Sequence, residues 1–187
     1  MKLLIVDNYD SFTFNLKHIC EPYVDVVDVV RNNQIAMDLV KDYDKIIISP
    51  GPGLPKDAGQ SINLIKKFYK SKDILGICLG AQALAVYFNY KLYNLSNVMH
   101  GKKTAIHLTV NQSIIYKDIP SNIDVGRYHS WAVNMSNDSN FCISSLDNNG
   151  VVMSFHHIKY KLTGIQYHPE SIMTDYGPQI LKNWILS

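Results

Sequence analysis

The spacing of apolar residues changes along this chain, and the changes mark out its elements. Leu3 to Asp7 is an apolar run closed by an acid. The turn cluster Asp7-Asn8-Tyr9-Asp10-Ser11 follows, with Asp10 or Ser11 suited to cap a helix. Phe12 to Cys20 then places Phe12, Leu16 and Ile19 on one helical face, and Pro22 is expected to end it. The β-branched stretch Val24 to Val30 predicts a second strand and Ile35 to Val40 a short helix. Lys45 to Ser49 predicts a third strand, broken by Pro50-Gly51-Pro52-Gly53-Leu54-Pro55. Ala58 to Tyr69 carries an amphipathic stripe. The apolar run from Ile74 reads as a buried strand that turns at Gly76-Ile77-Cys78-Leu79-Gly80 into a helix over Leu79 to Phe88. Strand and helix thus alternate through the first ninety residues. That is the pattern of an α/β fold with an open, mostly parallel sheet flanked by helices.

From Tyr90 onward the texture is different. Short runs at Ala105 to Val110, Ser113 to Tyr116, Ile143 to Leu146 and Val151 to Phe155 are separated by turn signals such as Asp147-Asn148-Asn149-Gly150. They predict antiparallel hairpins appended to the sheet. Leu162 to Tyr167 reads as a late core strand and Tyr176 to Leu186 as a closing helix with Gly177-Pro178 in its first turn. With no internal repeat, linker or low-complexity segment, residues 1–187 are expected to form one domain.

Composition narrows the function classes. Apolar residues make up 47% and charged residues 18% of 187, which suits a globular protein and argues against disorder. The formal charge of +2 and the lack of a basic run give no sign of a nucleic-acid or anionic-membrane partner. The apolar segment at Met1 to Asp7 is too short for a signal peptide, and nothing reaches membrane-spanning length. Three widely spaced cysteines, Cys20, Cys78 and Cys142, are not a disulfide framework, so a reducing cytoplasm is expected. No His/Cys cluster has zinc spacing, and the adjacent His156 and His157 point to opposite sides of a strand, so no metal is expected.

Within this frame Cys78 stands out. It falls at a strand-to-helix turn between two glycines, where a helix N-terminus favours thiolate over thiol. This is the mechanical idea of the nucleophile elbow, with sulfur in place of oxygen; the alternative is a buried structural cysteine. A nucleophile needs a base, and His168 ends a core strand in His168-Pro169-Glu170. Residues two apart in an extended segment share a side, so Glu170 can orient the His168 ring, although a surface His–Glu pair is equally compatible with the pattern. The Pro50-Gly51-Pro52-Gly53 turn is not a dinucleotide or phosphate loop. It can aim a backbone N–H at an oxyanion together with the Leu79 N–H, or simply end a strand. Gln82, four residues after Cys78, lies over the same face and suits an amide-bearing substrate, or solvent.

Three segments in order carry a resemblance: Pro50 to Gly53, Gly76-Ile77-Cys78-Leu79-Gly80-Ala81-Gln82, and Gly164-Ile165-Gln166-Tyr167-His168-Pro169-Glu170-Ser171. Together they resemble the class I (triad-type) glutamine amidotransferase domain, over essentially the whole chain. Asp7 to Thr13, Met99-His100-Gly101-Lys102 and Arg127-Tyr128-His129-Ser130 look like the glutaminase subunits of anthranilate synthase and aminodeoxychorismate synthase. The resemblance implies a flavodoxin-like fold, L-glutamine as substrate, no cofactor, and a separate chorismate-binding synthase subunit as partner. It further implies Cys78 as nucleophile, His168 as acid/base and Glu170 as its orienter. Gly53 and Leu79 then form the oxyanion hole, and Gly51, Pro52, Gln82 and the Ser130-Trp131 backbone hold glutamine. His100, Gly101 and Lys102 lie near the partner. Two positions depart from the family pattern: Ala81, often histidine, and Trp131, usually a smaller apolar residue. A cysteine hydrolase of the same architecture acting on another amide or ester, and a non-catalytic binding subunit, stay open at this point.

Overall fold

Alternate residues of the first strand, β1 (Lys2–Asp7), bury into different cores. Leu3 and Ile5 join one apolar cluster and Leu4 and Val6 the other, none more than 2% exposed. A strand that is apolar on both sides has to be covered on both sides. In the computed structural model, which describes residues 1–109, 113–136 and 138–187, four helices supply that cover. The helix α1 (Thr13–Cys20) contributes Leu16 and Cys20 to the first cluster, and α4 (Gly177–Ile185) contributes Ile180, Leu181, Trp184 and Ile185. On the other face α2 (Ser61–Phe68) contributes Leu64, Ile65 and Phe68, and α3 (Leu79–Tyr87) contributes Ala81 and Ala83 to Ala85.

The remaining strands are β2 (Val26–Arg31), β3 (Lys45–Ile48), β4 (Asp73–Ile77), β5 (Lys91–Leu108), β6 (Asn122–Asn134), β7 (Phe141–Asp147), β8 (Val152–His157) and β9 (Leu162–Ile165). Among the described residues they form one sheet in the order β2-β1-β3-β4-β9-β8-β7-β5-β6. From β2 to β9 neighbouring strands run parallel; from β9 to β6 they run antiparallel. The α/β architecture with appended hairpins is therefore observed, and the parallel part ends at β9. At the opposite edge from the turns discussed below, Lys45 Nζ bonds Asp73 Oδ2 at 2.8 Å and the Trp184 carbonyl at 2.7 Å. Trp184 Nε1 donates to Asp73 Oδ1, so the end of α4 is pinned to β3 and β4.

Several expectations need correction. Ile35 to Val40 is not a helix: the chain makes a turn and then a short 3-10 segment at Leu39–Asp42, since six residues without a cap cannot repay helix nucleation. Ser113 to Tyr116 is no strand. Ile114–Tyr116 is a 3-10 turn that buries Ile115 and Tyr116, and a run this short has no diagnostic periodicity. The strand expected at Ala105 to Val110 is the end of the much longer β5, and Val110 lies outside the described residues. Neither Asp10 nor Ser11 caps α1. Asp10 Oδ2 instead accepts from the Phe12 N–H, and Phe12 is the residue at the cap position. Helix α1 does end at Cys20, ahead of Pro22, which sits in the first turn of a 3-10 extension, Glu21–Tyr23, where its missing N–H costs nothing.

Candidate active site

The carboxyl ends of β1, β3 and β4 lie side by side, and short polar links fasten the turns that leave them. Asn8, 2% exposed, donates from its backbone to Ser49 Oγ (2.9 Å) and from Nδ2 to the Ser49 carbonyl (2.8 Å). Its Oδ1 accepts from Asn32 Nδ2 and Ser61 Oγ. Gly51 packs so closely on this turn that a Cβ there would sit 2.4 Å from the Asn8 carbonyl oxygen. The Pro50 to Gly53 loop is thereby set rigidly beside the end of β4, with Gly53 exposed and at φ +80°.

Cys78 occupies the joint between β4 and α3 with φ +50° and ψ −102°, a conformation that L-residues rarely adopt and that costs about 1–3 kcal/mol. The glycines on either side make the bend possible. A Cβ on Gly76 would lie 2.4 Å from the Gly80 carbonyl, and one on Gly80 would lie 2.2 Å from the Ile48 carbonyl oxygen. The Cys78 N–H donates to Ile165 O at 2.7 Å, tying the bend to β9, and the Cys78 carbonyl accepts the Gln82 N–H as α3 begins. No side chain caps α3, so the first N–H groups of the helix that follows Cys78 have no capping partner. Cys78 is 6% exposed. Cys20, by contrast, is fully buried in the apolar cluster, where burial pushes its thiol up to about 12 and leaves it inert.

The opposite partner comes from the segment after β9. The β4–β9 register pairs Ile77 with Ile165, so the next residues of the two strands emerge together at the same edge. His168 lies two residues past Gln166 on that side and is 4% exposed. Its Nδ1 is 2.6 Å from Glu170 Oε1. Its backbone is held from both ends: the N–H donates to Gly126 O at 3.0 Å, and its carbonyl accepts from the Thr174 hydroxyl. Tyr128 meets the imidazole edge-on at 4.8 Å between centroids, and His100 meets Tyr128 in turn at 5.9 Å. Nε2 has no hydrogen-bond partner within the protein, as expected of an atom facing a reacting group. Burial pulls the proton affinity of His168 down, but Cys78 first and Glu170 second outweigh it and lift the group to about 11. The sulfur and the carboxylate on either side of the ring thus both favour its protonated form.

Gln82, 4% exposed, reaches the same edge, but its NH2 group is already committed. Nε2 donates to the Trp131 carbonyl (2.9 Å) and to Gln166 Oε1 (3.2 Å). The Trp131 carbonyl also receives the His129 Nδ1 proton at 2.9 Å, so neither of its lone pairs is open to a ligand. What remains open there is Ser130. The β5–β6 pairing goes from Asn94 opposite Trp131 to Met99 opposite His129, so the irregular stretch 95–98 faces Ser130 alone and leaves it out of the ladder. His100, Gly101 and Lys102 lie exposed just beyond this bulge on β5. Ala81 is fully buried in the apolar cluster with Val6, Ile48 and Leu64. A cavity of about 470 Å³ opens on the His168–Glu170 side of the pair, lined by Phe12, Asn15, Tyr128 and Ile172 among others.

Sequence reasoning passed over three groups. Gln166 stands beside Cys78, and the period-two rule that pairs His168 with Glu170 would have put it on the same side. Asn8 looked like turn composition. Arg127, His129 and Asp147 form a buried cluster with Arg127 Nη1 2.6 Å from Asp147 Oδ2 and Arg127 Nε donating to His129 Nε2 at 3.0 Å. No local pattern announces a contact between different strands. Among the described residues, no group of three or more His, Cys, Asp or Glu is arranged to hold a metal ion, and no helix is long and apolar enough to cross a membrane.

Comparisons with known proteins identify the family and the fold. The family model described as glutamine amidotransferase class-I matches residues 4–187. Anthranilate synthase component 2 of Pyropia yezoensis is 40% identical, with 98% of each chain covered. Aminodeoxychorismate synthase component 2 of Escherichia coli K12 is 38% identical, again over 98% of each chain. In fold, a solved chain from Thermoplasma acidophilum superposes with a TM-score of 0.88 over 99% of this chain and 92% of its own, at 24% identity. A glutamine amidotransferase from Thermotoga maritima does so with 0.73 over 91% and 76%, at 16% identity. A cysteine on a strained elbow, a buried His–Glu pair beside it and full-length relatedness to two such subunits lead to one assignment: this chain belongs to the class-I glutamine amidotransferase family.

Proposed function

We propose that the chain, acting as one domain in the cytoplasm, is the glutaminase subunit of a chorismate-using synthase of the anthranilate or aminodeoxychorismate type. It hydrolyses L-glutamine and hands the ammonia to that partner. The observation that carries this reading is the Cys78 elbow at the end of β4, with the buried His168–Glu170 pair emerging from β9 at the same sheet edge.

In the proposed sequence the Cys78 thiolate attacks the side-chain amide carbon of glutamine, forming the C–S bond. The carbonyl oxygen becomes an oxyanion facing the N–H groups of Gly53 and Leu79. As the intermediate collapses the C–N bond breaks, and His168 gives its proton to the departing nitrogen, which leaves as ammonia. The imidazole, now neutral, takes a proton from water as the water attacks the γ-glutamyl thioester. The C–S bond then breaks, giving glutamate and restoring the thiolate–imidazolium pair. Gly51, Pro52 and Gln82 shape the glutamine pocket. With the Gln82 NH2 and the Trp131 carbonyl already engaged, Gln82 Oε1 and the backbone of Ser130 and Trp131 are the groups left to recognise the substrate. His100, Gly101 and Lys102 meet the synthase subunit, close to the rings that lead through Tyr128 to His168. No step needs a cofactor or metal.

The test is ammonia release from glutamine by the purified chain, alone and with a chorismate-using synthase subunit. Low activity alone, stimulation by the partner, and loss of both in Cys78→Ser are expected. Turnover of small esters without preference for glutamine, or equal activity with and without the partner, would refute it.

A further inference from the structure

Gln166 is 2% exposed, and its Nε2 lies 3.6 Å from Cys78 Sγ. Which end of a carboxamide faces a sulfur has to be deduced from its neighbours, and here they leave one solution. The Trp131 carbonyl can only accept, so Gln82 must present its NH2 to it. The second hydrogen of that NH2 points at Gln166, which must therefore present its oxygen. The Gln166 NH2 is then turned toward the sulfur. The backbone holds the two residues side by side, because the Gln166 N–H is bonded to Met153 O at 2.8 Å and the Cys78 N–H to Ile165 O at 2.7 Å.

Resting on the reading of Cys78 as nucleophile, we propose that Gln166 is a further catalytic residue: its carboxamide N–H donates to the Cys78 sulfur, fixes its direction of attack and stabilises it as a thiolate. No proton leaves the carboxamide. A hydrogen bond to the charged form of an acid favours that form, and the gain is lost when the sulfur becomes a thioester, a much weaker acceptor. Gln166 thus holds the sulfur in the resting state and releases it on acylation, while His168 carries the proton traffic. The titratable group coupled to the sulfur is His168, with Glu170 behind it; Asp10, from the loop before α1, is coupled to that His–Glu pair, and burial raises it above the ordinary carboxylate range.

The test compares wild type with Gln166→Leu and Gln166→Glu in two assays. Alkylation of Cys78 by iodoacetamide as a function of pH reads the thiolate without requiring glutamine to be the substrate. Glutamine hydrolysis with the synthase partner reads catalysis. Gln166→Leu is expected to raise the pH midpoint of alkylation by about one unit and to lower kcat about 10- to 100-fold, with KM changed less than threefold. Gln166→Glu keeps the shape and the contact with Gln82, so it remains informative should the leucine variant not fold. It turns a carboxylate oxygen toward the sulfur and is expected to raise the midpoint further. An unchanged midpoint in the folded variants, or a uniform loss of alkylation at every pH, would overturn the proposal. If wild type alkylates with the expected profile yet ignores glutamine, the proposed function fails while the role of Gln166 stands.

Discussion

Adding one methyl group to Gly80 tests whether the elbow geometry is what makes this site work. A Cβ at this position would fall 2.2 Å from the Ile48 carbonyl oxygen, 2.9 Å from its carbon and 3.0 Å from its Cβ. A relaxed carbon–oxygen approach is about 3.3 Å, so α3 must retreat from β3 by about 1 Å. The two nearest obstacles, the Ile48 carbonyl oxygen and carbon, are backbone of the central sheet, which cannot swing aside as a side chain can. Overpacking of this kind costs about 1–3 kcal/mol. Replacing glycine by alanine inside a helix returns up to about 1 kcal/mol. The net loss of stability is therefore about 0–3 kcal/mol, or a Tm lower by no more than about 12 °C. Activity should suffer far more, because the first turn of α3 carries Cys78 and the Leu79 N–H, and a displacement of about 1 Å in a reacting group costs about a hundredfold. The assay is kcat for glutamine hydrolysis beside a thermal melt. Gly150→Ala is the control: at φ +77° it introduces backbone strain of about 1–2 kcal/mol, but nothing lies within 4 Å and no site residue moves. It should lose stability and keep its kcat. A Gly80→Ala variant with more than half of the wild-type kcat would refute the reasoning.

Other consequences follow from the same contacts. His129 accepts from Arg127 and donates to the Trp131 carbonyl, so it is neutral in the fold, and burial with the Arg127 charge lowers it from 6.5 to about 4. Between those values the unfolded chain binds a proton that the folded chain does not. Stability should therefore fall as the pH drops from 6.5 to 4, by about 3 kcal/mol from this group. Urea unfolding across that window should be flatter in His129→Gln, and identical slopes would contradict the assignment. Asn8→Ala strands the Ser49 carbonyl and the Asn32 and Ser61 side chains, and should cost about 2–4 kcal/mol in urea denaturation and raise KM through the loosened Gly51 turn. A loss under about 1 kcal/mol would mean that water replaces it freely. Glu170→Gln removes the charge behind His168 and should lower kcat about a hundredfold or more, leaving KM nearly unchanged; a loss confined to KM would point to substrate binding instead.

Much of this was legible in the chain because the first half obeys local rules. The runs at Leu3 to Asp7, Lys45 to Ser49 and Ile74 to Ile77 are apolar on both faces, as buried parallel strands must be. The glycines around Cys78 mark a bend that side chains cannot make. The β5–β6 ribbon escaped notice for the opposite reason. Most of β5 is exposed on both faces, so no apolar alternation marks it, and β6 hides a buried arginine and histidine in a segment that looks polar. The Arg127–Asp147 and Gln82–Trp131 contacts join residues on different elements, and only the assembled sheet reveals them. The short runs at Ile35 to Val40 and Ser113 to Tyr116 misled because four to six residues are too few to show a period.

The central claim is that Cys78 attacks the side-chain carbon of glutamine. Incubating the protein, with its synthase partner, with a diazo-ketone analogue of glutamine and mapping the product by peptide mass spectrometry tests this most directly. The account predicts one adduct, on the peptide carrying Cys78, suppressed by excess glutamine and absent in Cys78→Ser. An adduct on Cys20 or Cys142, or labelling of Cys78 that glutamine does not suppress, would contradict it.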